Sequence, residues 1–184
     1  MAKHTLIALV EDRPGVLNRV SSLFRRRGFN IESIAVGHTE LPGISRMTIV
    51  VDGTTLSVEQ VRKQLDKLIN VVKVTDITDD NLISRELALV KVKSTPGTRG
   101  EIIEIVDIYR SKIVDVSADS VVVEVTGDEE KLGSLLRLLK GYGIREIART
   151  GRIAMTRGSS GPVPGEEKAH AKGKRARKAV EPEA

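Results

Sequence analysis

Apolar and polar positions alternate in a way that repeats one order of elements twice along the chain: strand, helix, strand, strand, helix, strand. The first copy is predicted to hold strands at 5–10, 31–36, 45–51 and 71–77, and helices at 14–27 and from 57 onward. The first helix has a single apolar face, because apolar side chains recur at Val16, Leu17, Val20, Leu23 and Phe24. This order of elements predicts a ferredoxin-like βαββαβ domain.

Local signals mark the ends of the first helix. Pro14 suits the first helical position, and Gly28 suits the left-handed residue that follows a helix. Phe29 then falls where a Schellman motif would place it against Phe24. For the second helix, Ser57 and Gln60 have the spacing of a capping box, and its apolar face is predicted to extend to Leu68 and Ile69.

The second copy shows a weaker version of the same pattern. Strands are predicted at 87–92, 112–116, 121–125 and 144–147, and helices at 100–109 and 128–140. A short polar linker at about 78–85 separates the copies. The fold class predicted is therefore α+β, with an N-terminal domain at 4–78 and a second, related ferredoxin-like domain at 84–157.

Apolar periodicity stops at Gly158, after which Gly, Ser, Pro, Glu, Lys and Ala dominate. Such a segment buries too little apolar surface to offset the entropy lost on ordering, so 158–184 is predicted to be a disordered basic tail. The basic run from Lys172 to Lys178 is also typical of tails that bind nucleic acid or an acidic partner. A solvated charged tail is the favoured interpretation.

Composition narrows the classes of protein that remain. The 184 residues include four aromatic side chains and no Cys, which excludes disulfides and thiolate metal sites. No apolar run approaches the roughly 20 residues of a membrane-spanning helix, and the first residues resemble no targeting peptide. Residues 1–157 carry 24 basic and 21 acidic side chains, so they have little attraction for nucleic acid. We expect a cytoplasmic protein without membrane or nucleic-acid partners.

No catalytic or metal site is predicted. The histidines are scattered, at His4, His38 and His170, so neither metal-ligand spacing nor a nucleophile–base pair is visible. Three carboxylates with helical spacing are better explained as a solvated face: Glu101, Glu104 and Asp107.

The most informative segment lies where the first strand meets the first helix. If the helix begins at Pro14, the N–H groups of Gly15, Val16 and Leu17 have no intrahelical partner and can bind a carboxylate. Asp12 could accept from an ammonium group, and Asn30 can both donate and accept. These groups together suit a free α-amino acid. On the residues alone, the favoured interpretation is that Pro14 and Gly15 merely start the helix and Gly28 merely ends it.

Two short runs resemble the signature of ACT domains, which occur in regulators of amino-acid metabolism: Asp12-Arg-Pro-Gly-Val-Leu17 and Arg27-Gly-Phe-Asn-Ile31. With Glu32-Ser-Ile34, Ser45-Arg-Met-Thr-Ile49 and the segment 64–74, the sequence is similar to the small-subunit family of acetohydroxyacid (acetolactate) synthase. The close resemblance covers about residues 4–83, and residues 84–156 resemble the second domain of that family more loosely.

The resemblance implies a regulatory subunit without cofactors or a catalytic site of its own. Its partner would be a catalytic large subunit that uses thiamine diphosphate, magnesium and FAD in branched-chain amino-acid synthesis. The family forms homodimers through ACT domains paired edge to edge, activates the large subunit and confers feedback inhibition, usually by valine. The implied effector residues are Asp12, Pro14, Gly15, Val16 and Leu17 of one protomer with Asn30 and Ile31 of the other.

Two other functions are compatible with this fold. One is a free-standing ACT-domain amino-acid sensor that acts on a different partner. The other is RNA binding through the sheet, which needs aromatic side chains on the strands to stack bases. The predicted strands at 5–10 and 45–51 contain none, so RNA binding is disfavoured.

Overall fold

The computed structural model describes residues 2–158, and it divides into two compact units. The first unit holds the chain up to Asn81 together with the few described residues after Met155. The second unit is Leu82–Met155. The predicted tail beyond Gly158 lies outside the described residues.

The first unit contains four strands and two helices. The strands are β1 (Ala2–Glu11), β2 (Ile31–His38), β3 (Ile44–Gly53) and β4 (Val71–Asp76), and the helices are α1 (Val16–Arg26) and α2 (Thr55–Leu65). All neighbouring strands are antiparallel, in the order β2-β3-β1-β4. The second strand of the unit therefore lies at an edge of its sheet.

One face of this sheet packs against both helices. Strand residues two apart point to the same face, and Leu6, Ala8 and Val10 of β1 are buried with Met47, Ile49 and Val51 of β3. Helix α1 contributes four of the side chains predicted from its periodicity: Val16, Val20, Leu23 and Phe24. Leu17, predicted on the same face, is instead 48% exposed. Burying each such side chain is worth about 1.5–3 kcal/mol, so the core fixes the position of α1 on the sheet.

The end of α1 matches the prediction. Gly28 is left-handed, with φ of 70°. Its N–H donates to the Arg25 carbonyl, and the Phe29 N–H donates to the Phe24 carbonyl, which is the bonding of a Schellman motif. The rings of Phe24 and Phe29 meet edge to face with their centroids 6.4 Å apart. The predicted contact between the two phenylalanines is confirmed.

The start of α2 differs from the prediction. The N-cap is Thr54, whose side chain accepts from the Ser57 N–H, while the Ser57 hydroxyl bonds back to the Thr54 N–H. Ser57 thus occupies position N3 of a capping box that Thr54 begins, and the predicted box of Ser57 with Gln60 is wrong. The helix also ends earlier, at Leu65, so Ile69 lies beyond it and is 88% exposed.

The second unit repeats the order of elements and adds a strand. It contains β5 (Leu82–Lys93), α3 (Arg99–Ile108), β6 (Lys112–Val116), β7 (Ser120–Gly127), α4 (Glu129–Lys140), β8 (Ile144–Arg149) and β9 (Ile153–Thr156). The order of the sheet is β6-β7-β5-β8, and β9 also pairs with β5. The short β9 was not predicted, because its four residues carry too little periodicity.

The core of the second unit is aliphatic. Ala88, Val90 and Val92 of β5 and alternate valines of β7 pack under the two helices. Two βαββαβ units of mixed α and β structure confirm the predicted fold class. Within residues 2–158, no helix is long and apolar enough to cross a membrane.

Candidate functional site

The start of α1 is built by two residues that do not join the helix. Helical geometry begins at Val16, and Gly15 is the N-cap in a left-handed conformation, with φ of 85°. The prediction that Pro14 is the first helical residue is therefore wrong by two positions. A positive φ is costly for a residue with a Cβ, and a Cβ built on Gly15 meets no atom within 4 Å. Gly15 is thus required for its backbone angle, and the space above it is open.

The left-handed Gly15 changes which amide groups are available. The Val16 N–H donates to the Arg13 carbonyl at 3.4 Å, so the expectation that it points freely outward is wrong. The next two amides, of Leu17 and Asn18, donate to no backbone acceptor or capping side chain within the described chain. The first turn of α1 contains no acidic residue. Two amides and the positive end of the dipole therefore remain for an anion.

Asp12 lies beside this helix start and is held from two sides. Its N–H donates to the Gly43 carbonyl at 2.8 Å, and the Ser45 hydroxyl donates to Oδ1 at 3.4 Å. His38 Nδ1 lies 3.4 Å from Oδ2 in an exposed pair. A carboxylate has about four acceptor positions, so Asp12 can still accept from a ligand.

Sequence reasoning missed His38, Gly43 and Ser45 as neighbours of the site. His38 and Ser45 are directly opposite each other in the pairing of β2 with β3, which a hairpin register would have suggested. Beside Ser45, burial lowers the pKa of Arg46 from its ordinary value, and Glu40 opposes that shift. The polar neighbours of Asp12 therefore come from the end of β2, the start of β3 and the turn that connects these strands.

The other predicted residues of the site differ in their accessibility. Pro14 is exposed, and the side chain of Leu17 is 48% exposed, so both can contact a ligand. The side chain of Val16 is only 4% exposed and belongs to the core. Val16 can therefore shape the site from below, while Leu17 offers the apolar surface.

Asn30 and Ile31 lie at the opposite end of α1. Asn30 is exposed and Ile31 opens β2, the edge strand of the sheet. The 11 residues of α1 span about 16 Å, so these side chains do not meet Gly15 within one chain. A single chain thus places the predicted site residues in two groups, one at each end of the same helix.

The described residues hold no group of three or more His, Asp or Glu side chains that could bind a metal ion. The three carboxylates of α3 are exposed, and Glu101 accepts a hydrogen bond of 3.0 Å from the Tyr142 hydroxyl. This contact raises the pKa of Tyr142. These groups therefore behave as a solvated helix face, as predicted.

Two family models match the chain. One, described as an AHAS small subunit-like ACT domain (AHAS is acetohydroxyacid synthase), matches residues 6–73. The other, described as the small subunit of acetolactate synthase, matches residues 85–158. Together they cover both structural units.

The chain is also similar to several known small subunits. It is 57% identical over 157 residues to the probable acetolactate synthase small subunit of Archaeoglobus fulgidus, covering 85% of this chain and 98% of that protein. The small subunit of Mycolicibacterium smegmatis is 58% identical over 158 residues, with coverages of 86% and 93%. The crystal structure of the Thermotoga maritima small subunit superposes with a TM-score of 0.79 at 43% identity, covering 87% of this chain and 100% of that chain.

The fold and the match to residues 6–73 define a protein with an ACT-type regulatory domain. More specifically, the chain belongs to the small-subunit family of acetolactate synthase. The small subunit is the regulatory part of that complex, and the cofactors belong to the catalytic subunit. The resemblance recognised in the sequence is therefore confirmed.

Proposed function

We propose that the chain binds a free branched-chain α-amino acid, with valine as the expected effector, and transmits its presence to the catalytic subunit. The open start of α1 carries this proposal. The Leu17 and Asn18 amides suit the carboxylate of the effector, and Asp12 suits its ammonium group. Exposed Leu17 offers an apolar surface for a short branched side chain.

The complete site is proposed to form between two copies of the chain. β2 is an edge strand, and unpaired strand edges favour pairing with a second strand. Pairing of β2 with its symmetry mate would extend the sheet and bring the half-site at Asn30 of one copy towards the helix start of the other. The proposed effector residues are Asp12, Pro14, Gly15, Val16 and Leu17 from one copy, and Asn30 and Ile31 from its partner.

The proposed regulation has two parts. The small subunit raises the activity of the catalytic subunit, and bound valine lowers that activity again as feedback inhibition. An effector shifts an equilibrium only by its difference in affinity for the two states. Valine must therefore bind the inhibited complex more tightly than the activated one. By the same linkage, a shift of the complex to its activated state must weaken the binding of valine.

Calorimetry with matched ligands tests the binding site directly. The purified chain would be titrated with valine, with 3-methyl-2-oxobutanoate, which lacks the ammonium group, and with 2-methylpropylamine, which lacks the carboxylate. We expect valine to bind and each analogue to bind at least about tenfold more weakly, since each loses a charge-assisted contact. Equal binding of the oxo acid would contradict the role of Asp12, and equal binding of the amine would contradict the amide site.

Reconstitution with the catalytic subunit tests the regulatory role. Acetolactate formation would be measured with and without the small subunit, and then over a range of valine concentrations. We expect activation by the small subunit and a loss of that activation as valine increases. Activation without any response to valine, leucine or isoleucine would limit the proposal to the activating role.

A further inference from the structure

A dense group of positive charges lies on and around one helix of the folded body. Residues 13–31 contain five arginines and no acidic residue. The rest of 1–157 has 19 basic against 21 acidic side chains, a small excess of negative charge. The near balance of the body as a whole therefore hides a local cationic surface on α1, which we call the arginine face and define as Arg19, Arg25, Arg26 and Arg27.

The arginine face has no carboxylates of its own to neutralise it. All four side chains are exposed. Arg19 donates to the side-chain oxygen of Asn70, and Arg27 Nε donates to Gln64 Oε1 at 3.0 Å, so both bond to neutral amides. Arg25 and Arg26 make no ion pair with any residue in the described part of the chain. The guanidinium groups thus keep most of their capacity to bind anions.

The surroundings of the arginine face add further donors. Arg19, Ser22 and Arg26 recur at intervals of three and four residues, so they share one flank of α1. The contacts of Arg19 with Asn70 and of Arg27 with Gln64 show that this side faces α2 and the loop before β4. On α2 the carboxylate of Glu59 is bound to Lys63 at 2.8 Å. Asn70 also donates to the carboxylate of Glu11 at 2.9 Å, and that carboxylate pairs with Arg13. The flank is therefore cationic and rich in amide side chains, with one carboxylate at its edge.

The position of α1 connects this face with the effector site. The helix begins at the amides proposed to bind the effector carboxylate and ends just before Asn30. Any shift of α1 on effector binding would move the arginine face with it. A partner that rests on this face would consequently respond to the effector without touching it.

We propose that the arginine face is the docking surface for an acidic surface of the catalytic subunit. This inference rests on the proposed function for the identity of the partner, and on the positive charge of the arginine face for the chemistry of the surface that it would bind. Arginine forms paired, planar hydrogen bonds with carboxylates and is enriched in protein interfaces. Docking here makes α1 the element that couples effector binding to enzyme activity.

The test compares two charge reversals, each in the last turn of a helix. Arg25→Glu with Arg26→Glu changes the last turn of α1, and Arg137→Glu with Lys140→Glu makes the same change of charge in the last turn of α4. Each full-length variant would be titrated into the catalytic subunit, and the concentration for half-maximal activation measured. We expect an increase of at least about tenfold for the α1 variant and less than about twofold for the α4 variant.

Salt dependence and a milder variant provide independent readouts. Raising NaCl from about 0.05 to 0.5 M screens exposed charges, so it should weaken activation by the wild-type chain and affect the α1 variant less. Arg25→Gln with Arg26→Gln should give an intermediate shift, which keeps the test valid if the reversal impairs folding. Equal shifts for the α1 and α4 variants, or no shift, would overturn the inference.

Valine calorimetry on the isolated variants separates this inference from the proposed function. If the α1 variant binds valine normally and activates poorly, the docking surface is supported. If neither wild type nor variant binds valine, the proposed effector site fails, and the activation titration still decides on docking. If the α1 reversal abolishes binding to a single-stranded RNA probe and leaves activation unchanged, the face serves nucleic acid and the inference is wrong.

Discussion

The two units place the same dipeptide before corresponding helices, with different results. Pro14-Gly15 precedes α1, and Pro96-Gly97 precedes α3. Gly15 has a φ of 85° and caps the helix directly, whereas Gly97 lies outside the left-handed region and α3 begins two residues later. The sequence motif is shared, but the path of the chain is not.

The start of α3 is surrounded by different side chains, although the amides of Gly100 and Glu101 also donate to no backbone acceptor in the described chain. Thr95 and Thr98 hydrogen-bond to each other, and the N–H groups of Thr98 and Arg99 donate to the Thr95 carbonyl. The Arg99 side chain turns back to bond the Ser117 and Ala118 carbonyls, and Glu101 occupies the first turn. The acidic side chain would repel a carboxylate ligand.

This difference shows that the fold alone does not create the ligand site. Both units have the same order of strands and helices, and both helix starts have open amides. Of the two, only α1 combines a first turn without acidic side chains with a nearby carboxylate at Asp12. The second unit has Ser94 at the position of Asp12, and Ser94 is fully buried. We therefore expect effector binding in the first unit only.

The largest expected effect follows from placing a carboxylate at Gly15 in the first unit and, for comparison, at Gly97 in the second. Gly15→Asp should abolish valine inhibition and leave much of the activation intact, because the new carboxylate would occupy the Leu17 and Asn18 amides and repel that of the ligand. For the new aspartate, the left-handed backbone costs about 1–2 kcal/mol of folding free energy. Its charge stabilises the start of the helix by about 0.3–1 kcal/mol through the helix dipole, which offsets part of that cost. The reconstituted complex would be titrated with valine to measure the uninhibited rate and the inhibition midpoint.

Gly97→Asp is the matched control, and it should leave the valine midpoint unchanged. A wild-type midpoint for Gly15→Asp would show that the carboxylate site is wrong. Loss of both activation and inhibition would indicate a damaged subunit, which a melting curve of the isolated chain would reveal.

A smaller effect is expected at the other end of the helices. Asn30 follows α1 at the position that Lys112 holds after α3, and Asn30 is exposed, as is Lys112. Asn30→Ala should weaken valine binding by about 1.5–3 kcal/mol, the worth of a hydrogen bond to a charged group. Lys112→Ala should leave it unchanged. Calorimetry on the isolated chains measures both, and equal affinities for the two variants would exclude Asn30 from the site.

The smallest effect concerns stability and compares the two helix ends. Gly28 and Arg110 both adopt left-handed angles, with φ of 70° and 49°, and both continue into Schellman bonding. Gly28→Ala should destabilise the protein by about 1 kcal/mol through backbone strain. Arg110→Gly should stabilise it by roughly 0.5 kcal/mol, because relief of strain exceeds the entropy cost of glycine. Urea unfolding would measure both, and the same sign for both substitutions would contradict this account.

Much of the fold could be predicted from the sequence because apolar periodicity reports which face of each element is buried. The Schellman motif was predictable because a glycine after the last helical turn, followed by an apolar residue such as Phe29, is the usual pattern of that motif. The start of α1 was not, because Pro14 suits the first helical position as well as it suits a turn before a left-handed Gly15. The capping box was misplaced because Thr54 and Ser57 are both hydroxyl residues with similar capping strength.

The open edge at β2 has a consequence for how such a sensor would be titrated. If the effector site is completed only by a second copy, the ligand stabilises the dimer, and the dimer in turn improves the affinity for the ligand. The valine response would then depend on the concentration of the protein as well as that of valine. At subunit concentrations below the dimer dissociation constant, the same chain would behave as a less sensitive sensor, without any change in its residues.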